Sequence, residues 1–254
     1  MSYAMQEPAL PDVWARFRAA TRARVGLPRS GDALPTADLL PLQAAHARAR
    51  EAVHRVVDFD ALASGIAGPV RRVHSAAVDR ASYLCRPDLG RRLDPSSRAL
   101  LAADHAASAW DAVLVIGDGL SSAAIADHAL ATLRACLARL QGWRLAPIIL
   151  AEQARVALAD DIGGLLNAEM SVILIGERPG LTVSNSLGLY LTWQPRPGRV
   201  DAERNCISNV HADGLSYDQA ADKLTWLMRQ AKRLQQTGFA LKDDSESIRA
   251  IEEH

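Results

Sequence analysis

Lysine is nearly missing from these 254 residues: only Lys223, Lys232 and Lys242 occur, so arginine carries almost all the positive charge. Arginine's planar fork suits bidentate contacts to anions, although genome base composition accounts for the bias more simply. Cysteine is also scarce. Cys85, Cys136 and Cys206 are odd in number, far apart and form no CxxC pair. That excludes a disulfide framework and a paired-cysteine zinc site, and points to a reducing compartment. Aromatic residues make up only 5%, and a core of alanine and leucine suits helices on a sheet better than a β-sandwich. Neither charge sign is in excess, since 29 basic side chains balance 29 acidic ones. The basic surplus of a nucleic-acid binder is therefore absent. Long apolar runs are missing as well. The longest, around Val172–Ile175, is far too short to span a membrane. The start, Met1-Ser-Tyr-Ala-Met-Gln-Glu-Pro8, has no apolar signal segment. The expectation is a soluble, cytoplasmic protein with no nucleic-acid or membrane partner.

What is present divides the chain in two. Nearly half of it is apolar, enough for one large domain or one with a substantial extra piece. Residues 1–108 read as a mainly helical N-terminal region. Asp12 caps a helix through Trp14 and Phe17 towards Arg24, and Thr36 caps a second that reaches Val57. Asp94-Pro-Ser-Ser97 starts a third, with proline at its first helical position. Residues 109–254 read as a Rossmann-like α/β domain. Ala112–Ile116, Pro147–Leu150 and Ser171–Ile175 are short, continuous apolar runs separated by helical stretches, Ser121–Leu140 and Asp160–Asn167. That alternation predicts parallel strands buried on both faces, with helices flanking the sheet. A further strand over Ser186–Trp193 and a polar loop follow. A last helix over Tyr217–Gln235 places Ala220, Leu224, Leu227, Met228, Ala231 and Leu234 on one core-facing stripe. From Lys242 onwards the chain reads as a solvated tail.

Ligands of a parallel sheet bind beyond the carboxyl ends of its strands. Topology therefore nominates three loops, and in them Asp118, Arg155, Val156, Glu177 and Arg178. Gly117-Asp-Gly-Leu-Ser-Ser122 falls short of the dinucleotide fingerprint, because Ser122 stands where GxGxxG needs its last glycine. Its amides suit an anion; a tight turn is the plainer account. Glu177-Arg-Pro-Gly180 sends a carboxylate and a guanidinium out of a strand just before a proline fixes the path. As a surface ion pair it is worth under about 1 kcal/mol, whereas its position favours a ligand-facing carboxylate. Arg86, Arg91 and Arg92 gather around a turn, suited either to an anion or to solvent. Asn209-Val-His-Ala-Asp-Gly214 is one residue away from DxHxxG, in which histidine ligates cobalt and aspartate orients it. Asparagine at 209 cannot supply that charge, so coincidence is the preferred reading. No HExxH or GxSxG occurs and the histidines are scattered, so the chain reads as part of a site.

Several segments in order resemble the small subunit of ethanolamine ammonia-lyase: Ala23-Arg-Val-Gly-Leu27 with Leu34-Pro-Thr36, Tyr83-Leu84 with Arg86–Arg92, Asp118–Ser121, Arg155-Val156, Asp161-Ile-Gly163, Ile175–Leu181 and Asp201–Asn209. The resemblance spans about residues 10–243, and its force lies in the ordered set. It implies an adenosylcobalamin-dependent lyase that converts ethanolamine to acetaldehyde and ammonia. A large TIM-barrel subunit holds the substrate, and the small subunit clamps the cofactor against it in a hetero-oligomer. Carried over by motif, the implied cofactor contacts are Val156, Glu177 and Cys206. The family's cofactor keeps its own base on cobalt, which also argues against His211 as a ligand. Gly164 departs from a common glutamate and Gly117 occupies a variable position; neither affects the three contacts. Members destined for bacterial microcompartments carry a longer N-terminal segment, and the match here begins almost at once, which argues against encapsulation. Two other readings stand beside this one. One is a self-contained α/β module for a phosphorylated ligand, built on Gly117–Ser122 and Arg86–Arg92. The other is a homologue that only scaffolds a partner.

Overall fold

In the computed structural model, residues 12–244 are described, apart from 106 and 108. Residues 1–11 and 245–254, which hold the N-terminal start and most of the expected tail, lie outside that range, as does the last residue before the 108/109 division. Six strands make one sheet: β1 Val70–His74, β2 Trp110–Gly117, β3 Ile148–Glu152, β4 Ala168–Gly176, β5 Leu187–Trp193 and β6 Arg204–Val210. Their order is β1-β3-β2-β4-β5-β6. The first four neighbours pair parallel, while β5 and β6 add antiparallel. The three apolar runs are β2, β3 and β4, and Val113–Ile116 are wholly buried because helices cover both faces of the sheet's centre.

The molecule is thus mixed α/β, and the expected all-parallel sheet ends at β4. The helical reading of the N-terminal part also passed over β1. Arg71, Arg72 and His74 sit on an edge strand, where only one flank pairs and polar side chains reach solvent. The polar stretch read as a loop contains β6, the opposite edge strand, for the same reason.

Helix boundaries follow local chemistry. Asp94 caps Pro95–Ala103 by accepting from Ser97 N at 2.6 Å. Asp12 accepts from Trp14 N at 3.0 Å, but the helix there covers only Ala15–Ala20 and stops short of Arg24. The second helix is Thr36–His54, with Pro35 rather than Thr36 at the cap position. The expected helix after β2 is continuous from Ser122 to Arg139, with a π-turn over Ile125–Ala129. Ser216 and Gln219 form a capping box for Tyr217–Leu234. On that helix Ala220, Leu224, Leu227, Met228 and Ala231 are buried as expected, while Leu234, the last residue of the helix, is 41% exposed.

Two apolar clusters follow from the two faces of the sheet. Helices Leu130–Arg139 and Tyr217–Leu234 pack together over one, which holds Leu114, Leu150, Val172, Leu189 and Leu191. Helix Leu158–Leu165 covers Val115, Ile149, Ile173 and Ile175 on the other, with Pro95–Ala103 outside it. Among the described residues, no helix is long and apolar enough to cross a membrane.

Candidate functional site

The loops beyond β2, β3 and β4 meet at the carboxyl end of the parallel strands, and their backbones nearly touch. Gly119 holds φ at +62°, and a Cβ there would lie 2.3 Å from the Gly176 carbonyl oxygen. Only glycine meets both demands. Asp118 is buried at 4% exposure and accepts from the amides of Gln153 (3.0 Å) and Ala154 (2.9 Å), with Arg80 at 3.5 Å. Burial pushes its carboxyl above the ordinary range, against the pull of those amides and of Arg80. Asp118 is therefore a brace between two loops, not a ligand-facing group.

The anion-binding reading of Gly117–Ser122 has little left to work with. Leu120 N donates to the Gly176 carbonyl at 2.9 Å, and Ser121 Oγ donates to the Ser184 carbonyl at 2.8 Å. The arginine turn is similarly occupied: Asp88 takes Arg86 in a bidentate pair (2.9 and 2.8 Å) and also faces Arg92 at 3.6 Å. His211 is spent within its own turn. Its Nε2 lies 2.8 Å from Asn209 Oδ1, and its Nδ1 accepts from Asp213 N at 3.3 Å.

Val156 and Cys206, by contrast, line one cleft, and Glu177 lies beside it. Strand β5 alternates, so Leu187, Leu189, Leu191 and Trp193 enter the core while Gly188, Tyr190 and Thr192 look the other way. Beside helix Leu158–Leu165 that second face opens into a cleft of about 330 Å³, lined by Val156, Tyr190, Cys206, Arg91, Arg155 and Arg204 among others. Val156 enters from the loop after β3. Cys206 is exposed on β6, directly opposite Tyr190 on β5.

Glu177 stands next to this pair, just beyond β4. Its backbone amide donates to the Ser186 carbonyl at 2.9 Å, and its Oε2 accepts from Ser186 Oγ at 2.5 Å and from Asn209 N at 3.4 Å. The carboxylate lies over Gly188, where a Cβ would be 3.0 Å from Oε1. Burial raises the Tyr190 hydroxyl, and Cys206 and Glu177 raise it further. Although the residue as a whole is exposed, desolvation of its sulfur likewise raises the Cys206 thiol, with Tyr190 opposing and Glu177 reinforcing. Both groups are thus held neutral beside one carboxylate. No ion pair joins Glu177 to Arg178 among the described residues, so the surface-pair account of that motif does not apply.

Sequence reasoning missed Tyr190, Gly188 and Arg204. The alternation in Leu187-Gly-Leu-Tyr-Leu-Thr-Trp193 carries the first two, read for its second face. Arg204 lines the cleft yet is buried and paired: Nη1 lies 2.7 and 2.6 Å from the two Asp160 carboxylate oxygens and 3.1 Å from Thr192 Oγ1. It fixes β6 to helix Leu158–Leu165. Arg155 stacks on Tyr83, 4.3 Å from the ring centroid, and donates to the Tyr83 carbonyl at 3.1 Å.

Fold and cleft together define a mixed α/β chain with a ligand-sized face built from loops beyond β3 and β4 and from the paired strands β5 and β6. The sequence profile of the ethanolamine ammonia-lyase light chain family matches residues 11–242. This chain belongs to that family. The ethanolamine ammonia-lyase small subunit of Pseudomonas aeruginosa (strain UCBPP-PA14) is 50% identical over 261 residues, covering 98% of this chain and 95% of that protein. The small subunit of Azotobacter vinelandii (strain DJ) is 51% identical, covering 96% and 93%. That of Xanthomonas campestris pv. campestris (strain B100) is 48% identical, covering 95% and 92%.

Proposed function

We propose that this chain is the small subunit of an ethanolamine ammonia-lyase and closes an adenosylcobalamin site against a large catalytic subunit. The observation that carries the reading is the convergence of Val156, Glu177 and Cys206. They come from three separate segments and border one face, with Tyr190 between them. The chemistry of that face suits the cofactor. A corrin is a broad, largely apolar ring with amide arms on its rim. Val156, Tyr190 and Cys206 offer neutral, weakly polar surface, and Glu177 offers a carboxylate that accepts amide N–H groups.

When bound, adenosylcobalamin supplies the radical chemistry that starts the conversion of ethanolamine to acetaldehyde and ammonia. This chain's own residues bind and orient. Glu177 is fixed from behind by Ser186 and Asn209, so it meets a rim amide without first losing side-chain freedom. Tyr190 and Cys206, kept neutral, exclude water without adding charge next to the ring. The large subunit, a TIM barrel in this reading, holds the substrate, and the two chains form a cytoplasmic hetero-oligomer. The phosphorylated-ligand module built on Gly117–Ser122 has no comparable observation behind it, since its amide and hydroxyl are already bonded within the chain.

The test is reconstitution. The chain is co-expressed with the large subunit of the same organism, purified, and assayed for ammonia release with ethanolamine and adenosylcobalamin. Activity in the mixture and in neither chain alone is the expected result. Failure to form a complex, or activity of the large chain unaided, would overturn the assignment.

A further inference from the structure

Helix Thr36–His54 buries only Ala45 and Ala52, so most of its length lies outside the core. Where it passes the loops beyond β2, β3 and β4, a second cavity opens, of about 540 Å³. That is within the roughly 300–1,000 Å³ of small-molecule sites. Arg50 and His46 reach it from the helix, Arg155 from the loop after β3 and Arg178 from the loop after β4, while Leu84 and Leu120 add apolar wall. No carboxylate lines it among the described residues.

Several arginines elsewhere are matched: Arg71 with Asp104, Arg72 with Glu152, Arg86 with Asp88, Arg98 with Asp161 and Arg139 with Asp222. Among the described residues Arg50 and Arg178 have no ion pair, and the buried Nε of Arg155 has no hydrogen-bond partner. Three guanidinium groups bordering one cavity favour an anion between them. They come from three separate elements, so they surround a tetrahedral oxyanion better than a flat carboxylate, which offers two oxygens in one plane.

We infer that this cavity binds a phosphate group carried on a partly apolar body, with Arg50, Arg155 and Arg178 as its donors. Two sources share that chemistry. One is the phosphodiester of a cobalamin nucleotide tail, because Arg155 borders both cavities and adjoins Val156. The other is a free phosphorylated metabolite. The inference does not need the cofactor reading, since inorganic phosphate tests it alone.

The full chain, co-purified with its large subunit, is titrated with inorganic phosphate by calorimetry. It is then titrated with adenosylcobinamide and with adenosylcobinamide phosphate by absorbance. The variant is Arg50→Gln with Arg178→Gln, both at exposed positions; Arg86→Gln, whose partner is Asp88, is the control. The double variant is expected to lose about tenfold or more in affinity for inorganic phosphate, with the control unchanged. An equal loss on adenosylcobinamide phosphate, with none on adenosylcobinamide, assigns the site to the nucleotide tail. A loss confined to inorganic phosphate assigns it to a free metabolite. Unchanged binding of every ligand, or no phosphate binding by the wild type, overturns the inference. So does a double variant that binds all ligands normally but separates from the large subunit, which would give these arginines to the partner's carboxylates.

Discussion

Tyr190 and Cys206 face each other across β5 and β6, and both side chains border the cleft that Val156 closes from the far side. A tyrosine and a cysteine on neighbouring strands thereby form one wall of the cleft. Glu177, set over Gly188, completes the row.

The missing side chain at Gly188 is a requirement of that arrangement. A Cβ would sit 3.0 Å from Glu177 Oε1 and 3.1 Å from Tyr190 Cε2. Gly188→Ala is expected to displace the carboxylate, cutting corrinoid affinity of the complex several-fold while stability falls by about 1 kcal/mol or less. Absorbance titration and urea unfolding on the same preparation check both halves.

Gly119→Ala is expected to act the other way, on the fold. With φ at +62° and the Gly176 carbonyl oxygen 2.3 Å from the added carbon, the loops after β2 and β4 must separate. A loss of about 1–3 kcal/mol is expected in urea unfolding. A variant as stable as the wild type would contradict the close packing of those loops.

Arg204 and Asp160 form a pair in which each side chain is 2% exposed. Arg204→Met leaves a buried carboxylate without its cation and is expected to cost about 3–5 kcal/mol. Arg204→Met with Asp160→Asn is expected to recover part of that loss, because no charge is then stranded. Denaturant midpoints of the two variants against wild type decide it.

Acid is expected to weaken the fold through His128. It is buried at 5% exposure, with Nδ1 2.9 Å from the Tyr217 hydroxyl. Burial holds its imidazole below the ordinary 6.5, against the pull of Asp127. The unfolded chain therefore binds the extra proton first. Stability is present above about pH 6.5 and is lost as the pH falls towards the lower folded value. Melting temperatures between pH 8 and pH 5 should show this decline, and His128→Gln should make it shallower.

The central strands were legible because β2, β3 and β4 are buried on both faces and so appear as unbroken apolar runs. The edge strands β1 and β6 were not, because polar side chains are tolerated there and carry no alternation. Glu177 was legible from its place at a strand end before Pro179. Val156 was nominated by its loop after β3 as well as by resemblance. Cys206 rested on family resemblance alone, since a cysteine on a polar edge strand announces no chemistry by type. Asp118 shows the limit of topology: it lies at the right end of the sheet, yet neighbouring amides consume its oxygens. The antiparallel turn after β4 was illegible because the stretch to Ser186 shows no helix that would signal a parallel crossover, nor a short hairpin turn.

The central claim, that this chain supplies part of a corrinoid site through Glu177, is tested most directly by absorbance titration of the reconstituted complex with adenosylcobalamin. Wild type is compared with Glu177→Gln, which keeps the shape and removes the charge. The account predicts affinity lower by about tenfold in the variant, the scale of one charge-assisted hydrogen bond, with subunit association unchanged. Equal affinity in the two complexes would contradict it and remove Glu177 from the site.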